Sequence, residues 1–339
     1  SQSVCSSGRC DGPRALRTHP LPRGGTDCVP PRIAIKYIVL ILCSTLLLLS
    51  VSITNAQQMA DPEFNGSVAN PAYSKNGPRV MFDEAHNNFH TMDGRYKPFV
   101  TLLLNDGYRV IRNRVPFTKK SLEDYKVLVI ANALGAEEMD ETGADNSAFT
   151  EAEIEVVHDW VRGGGSLLLI ADHAPFGGAA ENLAKRFNVE MSKGFTLDEA
   201  NSAEGNPSLI IYSRENKLLL DHPITSGRGG AEKVNKVMSF TGQSLVGPKG
   251  SYSILKLSDT ARDTPDRSGT TFTSAAGRAQ ALAFKFGKGR VVVQGEAAML
   301  SAQIAGANKF KMGMNVPGTD NKQYTLNLMH WLSGMLKES

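Results

Sequence analysis

Apolar and polar positions along this chain fall into two rhythms. Unbroken apolar runs, of the kind carried by strands buried on both faces, occur at Tyr125–Ala131 (YKVLVIA), Ser166–Ala171 (SLLLIA) and Arg290–Gln294 (RVVVQ). Arg79–Phe82 (RVMF), Tyr108–Val115 and Ala281–Phe286 (ALAFKF) read as further strands. Between them the period changes. Phe99, Leu102 and Leu103 space a helix over Tyr96–Asp106 that Gly107 stops. Thr150 and Glu153 form a capping box for a helix through Val161, carrying Ile154, Val157 and Trp160 on one side and ending at Gly163–Gly165. Two more helices are expected, Ala179–Phe187 after Gly177-Gly178 and Gln323–Leu332 near the end.

Strands alternating with helices predict an α/β domain over 78–336: a doubly wound, mostly parallel sheet covered on both faces in a flavodoxin-like three-layer arrangement. From about 190 to 280 short β-like runs (Leu209–Tyr212, Ser253–Leu257) sit among Gly, Ser, Asp and Pro, which predicts a β-rich insertion. Residues 57–77 read as a polar linker.

The first 56 residues follow neither rhythm. Tyr37–Val51 (YIVLILCSTLLLLSV) is an apolar stretch behind Arg32 and Lys36, and SITNA closes it with Thr54 and Ala56. A basic flank, an apolar core of about 7–15 residues and small residues at a cut site are the parts of a secretory signal over 32–56. The same stretch, left uncleaved, is a membrane anchor through residues 37–51, though short for a span of about 20 residues. Leu42 before Cys43 does not fit a lipoprotein signal. Residues 1–31 show no periodicity and read as an unfolded upstream extension. The expected location is therefore secreted or periplasmic, with contact to membrane only through an uncleaved leader.

Composition sharpens this division. The whole chain of 339 residues carries +3, but residues 1–56 hold six basic and two acidic residues, leaving 283 residues with a net charge of −1. A nucleic-acid partner is not expected of such a body. All four cysteines (Cys5, Cys10, Cys28, Cys43) also lie in that leader. The body thus has no disulfide, no cysteine-ligated zinc and no thiol nucleophile.

In an open parallel sheet, ligands bind beyond the carboxyl ends of the strands. After RVMF come Asp83, Glu84, His86 and His90; after YKVLVIA, Asn132; after SLLLIA, Asp172, His173, Gly177 and Gly178; after RVVVQ, Gly295 and Glu296. Polar residues thus converge on one rim. His86 and His90 have the i, i+4 spacing of two metal ligands on a helix, with Asp83 and Glu84 as partners, or one of the histidines packs there. Asp172-His173 suits proton transfer, or Asp172 caps the turn. Glu296 reads as a general base or a turn residue. Gly177-Gly178 ahead of a helix suits an anion or oxyanion, or punctuates a loop. His158, His330 and His222 read as packing, packing and turn. No Gly-x-Ser-x-Gly elbow and no phosphate loop occurs.

Six segments in order, RVMFDEAHNNFH, FTEAEIEVVHDWVRGGGSLLLIADH, DHPIT, SFTGQSL, GKGRVVVQGE and NLMHWLSG, resemble the class I glutamine amidotransferase-like superfamily. Within it they resemble the uncharacterised bacterial branch near the trehalose-utilisation-like proteins. The resemblance covers roughly 78–336. It implies the fold and a pocket at the turn after SLLLIA, where enzymes of that superfamily place a nucleophilic cysteine. Here that turn is Asp172-His173-Ala174-Pro175, so thiol-dependent glutaminase chemistry is not implied.

The expected function is a hydrolase in which a carboxylate or histidine among Asp83, Glu84, His86, Asp172, His173 and Glu296 activates water. Asn132, Gly177 and Gly178 would bind substrate. A divalent metal (zinc, manganese or iron) on Asp83, Glu84, His86 and His90 is one version of this site. The alternative is a non-catalytic module binding a small-molecule or carbohydrate-like ligand.

Overall fold

A computed structural model of the chain describes residues 58–74 and 76–337. The leader, its two readings and all four cysteines lie outside the described residues. The ordered elements that carry the site are β1 (Arg79–Asp83), α1 (Lys97–Asn105), β2 (Arg109–Asn113), β3 (Val127–Ala131), α2 (Glu151–Gly163), β4 (Ser166–Ile170), α3 (Phe176–Arg186), β5 (Ala279–Phe286), β6 (Gly289–Gln294) and α4 (Asn321–Ser333).

One sheet runs β2–β1–β3–β4–β6–β5 and continues through short strands at Leu245–Val246 and Glu190–Met191. The first five of these are mutually parallel, while β5 returns antiparallel beside β6. The chain therefore reverses its direction of travel across the sheet at β1, between β2 and β3. Beside that point, ligands of open α/β sheets characteristically bind.

Alternation along each strand divides the apolar residues between two cores. Val80, Phe82, Val127, Val129 and Leu168 pack with Tyr96, Phe99 and Leu103 of the α1 side and with Leu328 and Trp331 of α4. Their neighbours Met81, Leu128, Ile130, Leu167 and Leu169 pack with Ile154, Val157 and Val161 of α2 and with Leu183 of α3. Strands β3 and β4 are buried at every residue, which is why their sequence shows no alternation at all.

The capping box on α2 forms as its spacing predicts. The Thr150 hydroxyl accepts from the Glu153 N–H while the Glu153 carboxylate accepts from the Thr150 N–H. The helix stops where Gly164 takes a φ of 126°, a conformation L side chains rarely adopt. Two expected boundaries change. Helix α3 begins at Phe176 rather than Ala179, so Gly177 and Gly178 lie inside its first turn. The segment read as a linker is docked: Met59–Ala60 pairs antiparallel with Ala302–Ala305, and the buried Asp61 receives the Asn315 side-chain amide. The insertion is β-rich, with separate three-stranded sheets built around Asn206–Ser213 and Arg262–Thr264. Among the described residues no helix is long and apolar enough to cross a membrane.

Candidate functional site

The strand ends place the expected residues in two clusters rather than one. The first forms at the ends of β1 and β2 against the start of α2. His86 is buried, with Nδ1 2.8 Å from Asp83 and Nε2 3.0 Å from Glu153. The ring lies between Phe117 and Phe149, with centroids 4.6 and 4.7 Å away. Asp83 also accepts from Asn113, and Glu153 from the Phe117 N–H and Thr150. Burial works against charge on His86, but the two carboxylates outweigh it and raise its pKa above 6.5. The His86 and Thr150 hydrogen bonds hold the Glu153 carboxyl down at about 2, against the pull of burial. Every polar atom of this group has its partner.

This geometry corrects the expected metal set. The stretch between Asp83 and Lys97 is not helical, so His86 and His90 do not share a helix face. Glu84 turns away to Arg112 at 2.8 Å and to the Met92 N–H. His90 goes to the second cluster. Among the described residues the group with metal-ligand spacing is Glu155, His158 and Asp159 on α2. Arg186 grips Glu155 and Arg162 takes Asp159, so those oxygens are already spent.

The second cluster surrounds a cavity of about 240 Å³ at the ends of β3 and β4. Its floor holds Asn132, Asp172 and His90; its walls include Phe89, Met139, Phe176, Phe240, Ala298 and Met312; Gln58, His173, Thr241 and Arg267 stand around the mouth. Asn132 ends β3 with a φ of 50°, a left-handed turn that asparagine tolerates. Its Oδ1 accepts the Asp172 N–H at 3.0 Å, which fixes the amide's orientation and leaves Nδ2 as donor. That Nδ2 is buried with no partner among the described residues, and so is the Nδ1 of His90. Most buried polar atoms in folded proteins are paired, so two orphans on one cavity need a cause.

Around them the turn is tightly held. The Gln243 amide donates to the carbonyls of Ala171 and Asp172, at 2.8 and 2.9 Å. A Cβ at Gly177 would meet Gln243 at 2.6 Å, so glycine there serves close packing. The Gly178 N–H is spent on the Pro175 carbonyl. Neither glycine lines the cavity, and the expected anion site at Gly177-Gly178 is not formed.

His173 stacks on Phe195 with centroids 4.6 Å apart, and its Nδ1 lies 2.7 Å from the Ala174 carbonyl. A carbonyl only accepts, so Nδ1 carries the proton and the neutral ring keeps its lone pair on Nε2. Arg267 Nη2 lies 3.5 Å from that Nε2. Burial pushes the Asp172 carboxyl above its ordinary value, with His173 and the N–H of Ala297 pulling the other way. His90 is stacked on Tyr96, and burial, helped by the charges of Arg95 and His173, lowers its pKa to about 3. It stays neutral across the physiological range.

Glu296 is fully buried and does not line the cavity. Its oxygens accept the N–H groups of Ala298 at 2.7 Å and Met299 at 2.9 Å, fixing the turn that presents Ala298 to the cavity wall. Burial first, and then the Asp172 charge, push its carboxyl well above the ordinary range. It is a positioning residue, not the general base its place in the sequence suggests.

Gln58, Phe240, Thr241 and Arg267 were absent from the expected site. They come from the docked N-terminal segment and the insertion, and no periodicity marks them. Thr241 alone carries a local signature in the fold, a φ of 70° that a β-branched residue seldom adopts. Larger hollows near Asp221 and Tyr252 (about 620 Å³) and near Ser67 and Lys322 (about 580 Å³) gather none of the strand-end residues.

No family model and no curated protein matches the chain. Among solved structures, the mmIFT52 N-terminal domain is 15% identical with a TM-score of 0.52, over 76% of this chain and 97% of that one. A ThuA-like protein from Bacteroides uniformis is 12% identical (TM-score 0.40; 80% and 95% covered). A GMP synthase protein from Thermoplasma acidophilum is 10% identical (TM-score 0.39; 77% and 96%). At such identity the first likeness speaks to the fold alone: this chain is an α/β protein built on a mostly parallel sheet with additional β-sheets.

Proposed function

We propose that the chain is a secreted or periplasmic hydrolase of glutamine amidotransferase-like, flavodoxin-like three-layer architecture, acting on a small polar molecule without a thiol. The observation that carries this reading is the pair of buried, unpartnered atoms, Asn132 Nδ2 and His90 Nδ1, on one cavity with Asp172. A folded protein leaves such groups unsatisfied chiefly where something else completes them. In this reading His173 Nε2 takes a proton from water, and the Asp172 carboxyl, raised by burial, returns one to the leaving group. Asn132 and the neutral His90 bind and orient the substrate. Asp172, His173 and His90 do not form a three-ligand metal group, so no step passes through a metal. The leader pattern at 32–56 supports export.

The test is hydrolysis of a panel of small chromogenic esters, glycosides and phosphates by the purified protein. His173→Ala and Asp172→Asn are each expected to lower any turnover by roughly 10²–10⁴-fold. The second reading is a binding module, favoured by the Arg267 guanidinium standing beside the one free imidazole nitrogen of His173. It predicts ligand binding with no turnover in any assay. Turnover that survives both substitutions contradicts the proposed roles.

A further inference from the structure

Charge at the cavity mouth is unbalanced. Arg112, Arg186, Arg228 and Arg278 each face a carboxylate. Arg267 and Arg95 have no ion pair among the described residues. Arg95 lies over the Phe89 ring at 4.0 Å and donates to the carbonyls of Gln58 and Phe89, two residues of the cavity lining. Arg267 lines the mouth itself, exposed, with its guanidinium 5.4 Å from the Phe195 ring on which His173 stacks. The floor is opposite in character. Asn132 Nδ2 can only donate and His90 is neutral, while Asp172 would repel an anion placed deep.

We propose that the cavity takes a small organic acid, its carboxylate or phosphate held at the mouth by Arg267 and its uncharged, oxygen-bearing end directed to Asn132 and His90. This rests on the reading of the cavity as a ligand site and names its substrate class. The planar guanidinium fork matches the paired oxygens of such an anion, and a charge-assisted contact is about twice as strong as a neutral one. The cavity volume of about 240 Å³ lies below the common range of roughly 300–1,000 Å³ for ligand pockets, which keeps the acid small.

Three probes on one skeleton separate the components: glycerol, glycerate and glycerol 3-phosphate, titrated into the full chain by calorimetry near neutral pH. Glycerate, glycerol 3-phosphate or both are expected to bind at least about ten-fold more tightly than glycerol, the tighter one identifying the anion source. Arg267→Gln is expected to remove that preference, and Arg267→Lys, which keeps the charge but not the fork, to retain part of it. Arg267 is exposed, so neither variant threatens folding. Glycerol binding as well as both acids, with Asn132→Ala weakening all three, overturns the acid preference and leaves the ligand site standing. No binding by any probe, or binding indifferent to both Arg267→Gln and Asn132→Ala, overturns the proposal together with the site.

Discussion

The Asp83–His86–Glu153 cluster and the Asp172 cavity draw on the same residue types at neighbouring strand ends, and they differ in what each leaves over. Around His86 both ring nitrogens face carboxylates, and each carboxylate has further donors. Around Asp172, Asn132 Nδ2 and His90 Nδ1 are buried without partners, and two arginines nearby lack acids. The first cluster is complete as folded and acts as a staple between β1 and α2. The second is incomplete as folded and has room beside it. What separates a ligand site from a structural ion network is therefore the unsatisfied remainder, since both perturb pKa values.

Removing the staple is expected to have the largest effect. His86→Ala leaves Asp83 and Glu153 buried and facing each other without the cation, at a cost of about 3–5 kcal/mol in denaturant unfolding. Binding in the cavity by the protein that remains folded should not change. A loss of ligand affinity at unchanged stability would merge the two clusters into one site. At the cavity, Asn132→Ala withdraws the orphan donor and the acceptor of the Asp172 N–H, and a left-handed alanine adds strain. A loss of about 2–3 kcal/mol in stability is expected, together with ligand affinity. Asn132→Gly suits the backbone, so it should recover part of the stability and none of the affinity.

The two clusters also predict a common pH slope with separable causes. His86 has a raised pKa, so its contribution is full below 6.5 and fades as pH rises through the folded value; Glu153, lowered to about 2, contributes above 4.5 and fades as pH falls. The staple is thus strongest between about pH 4.5 and 6.5. Asp172 and Glu296 are raised carboxyls that the native state prefers to keep protonated, so they too lose stability as pH rises past the ordinary carboxylate values. Glu296→Gln should flatten the alkaline fall, by about 1.4 kcal/mol for each tenfold displacement of the acid constant that it abolishes, and leave the His86 part in place. An unchanged slope in that variant would assign the whole effect to the staple.

The smallest expected effect has the opposite sign. Thr241→Gly releases a left-handed, β-branched residue at the cavity mouth and should stabilise the fold by about 1 kcal/mol while weakening the ligand. Stabilisation with undiminished binding would show that the strain serves packing alone.

How much of this could be read from sequence depended on the range of the forces involved. Buried runs such as VLVIA and the Thr150–Glu153 box are local patterns, and both formed where their spacing placed them. The rule that polar residues after parallel strands line a site found Asn132, Asp172 and His173. It also admitted Glu296 and His86, because strand-end position does not say whether a side chain turns to solvent or to waiting backbone amides. The His86-x3-His90 spacing misled for a related reason: the chain from Glu84 to Gly94 holds irregular backbone, where an interval of four has no geometric meaning. Arg267, Thr241 and Gln58 reach the cavity through long-range folding of the insertion and the N-terminal segment, which no local period encodes.

The most direct measurement is the nitrogen NMR of the histidine rings while glycerate is added to the full chain. His90 is expected to stay neutral down to about pH 3 and its Nδ1 resonance to move with ligand, while the His86 ring does not respond. A His90 ring indifferent to every added acid and to glycerol, or a His86 ring that shifts as much as His90, would contradict the division between staple and cavity.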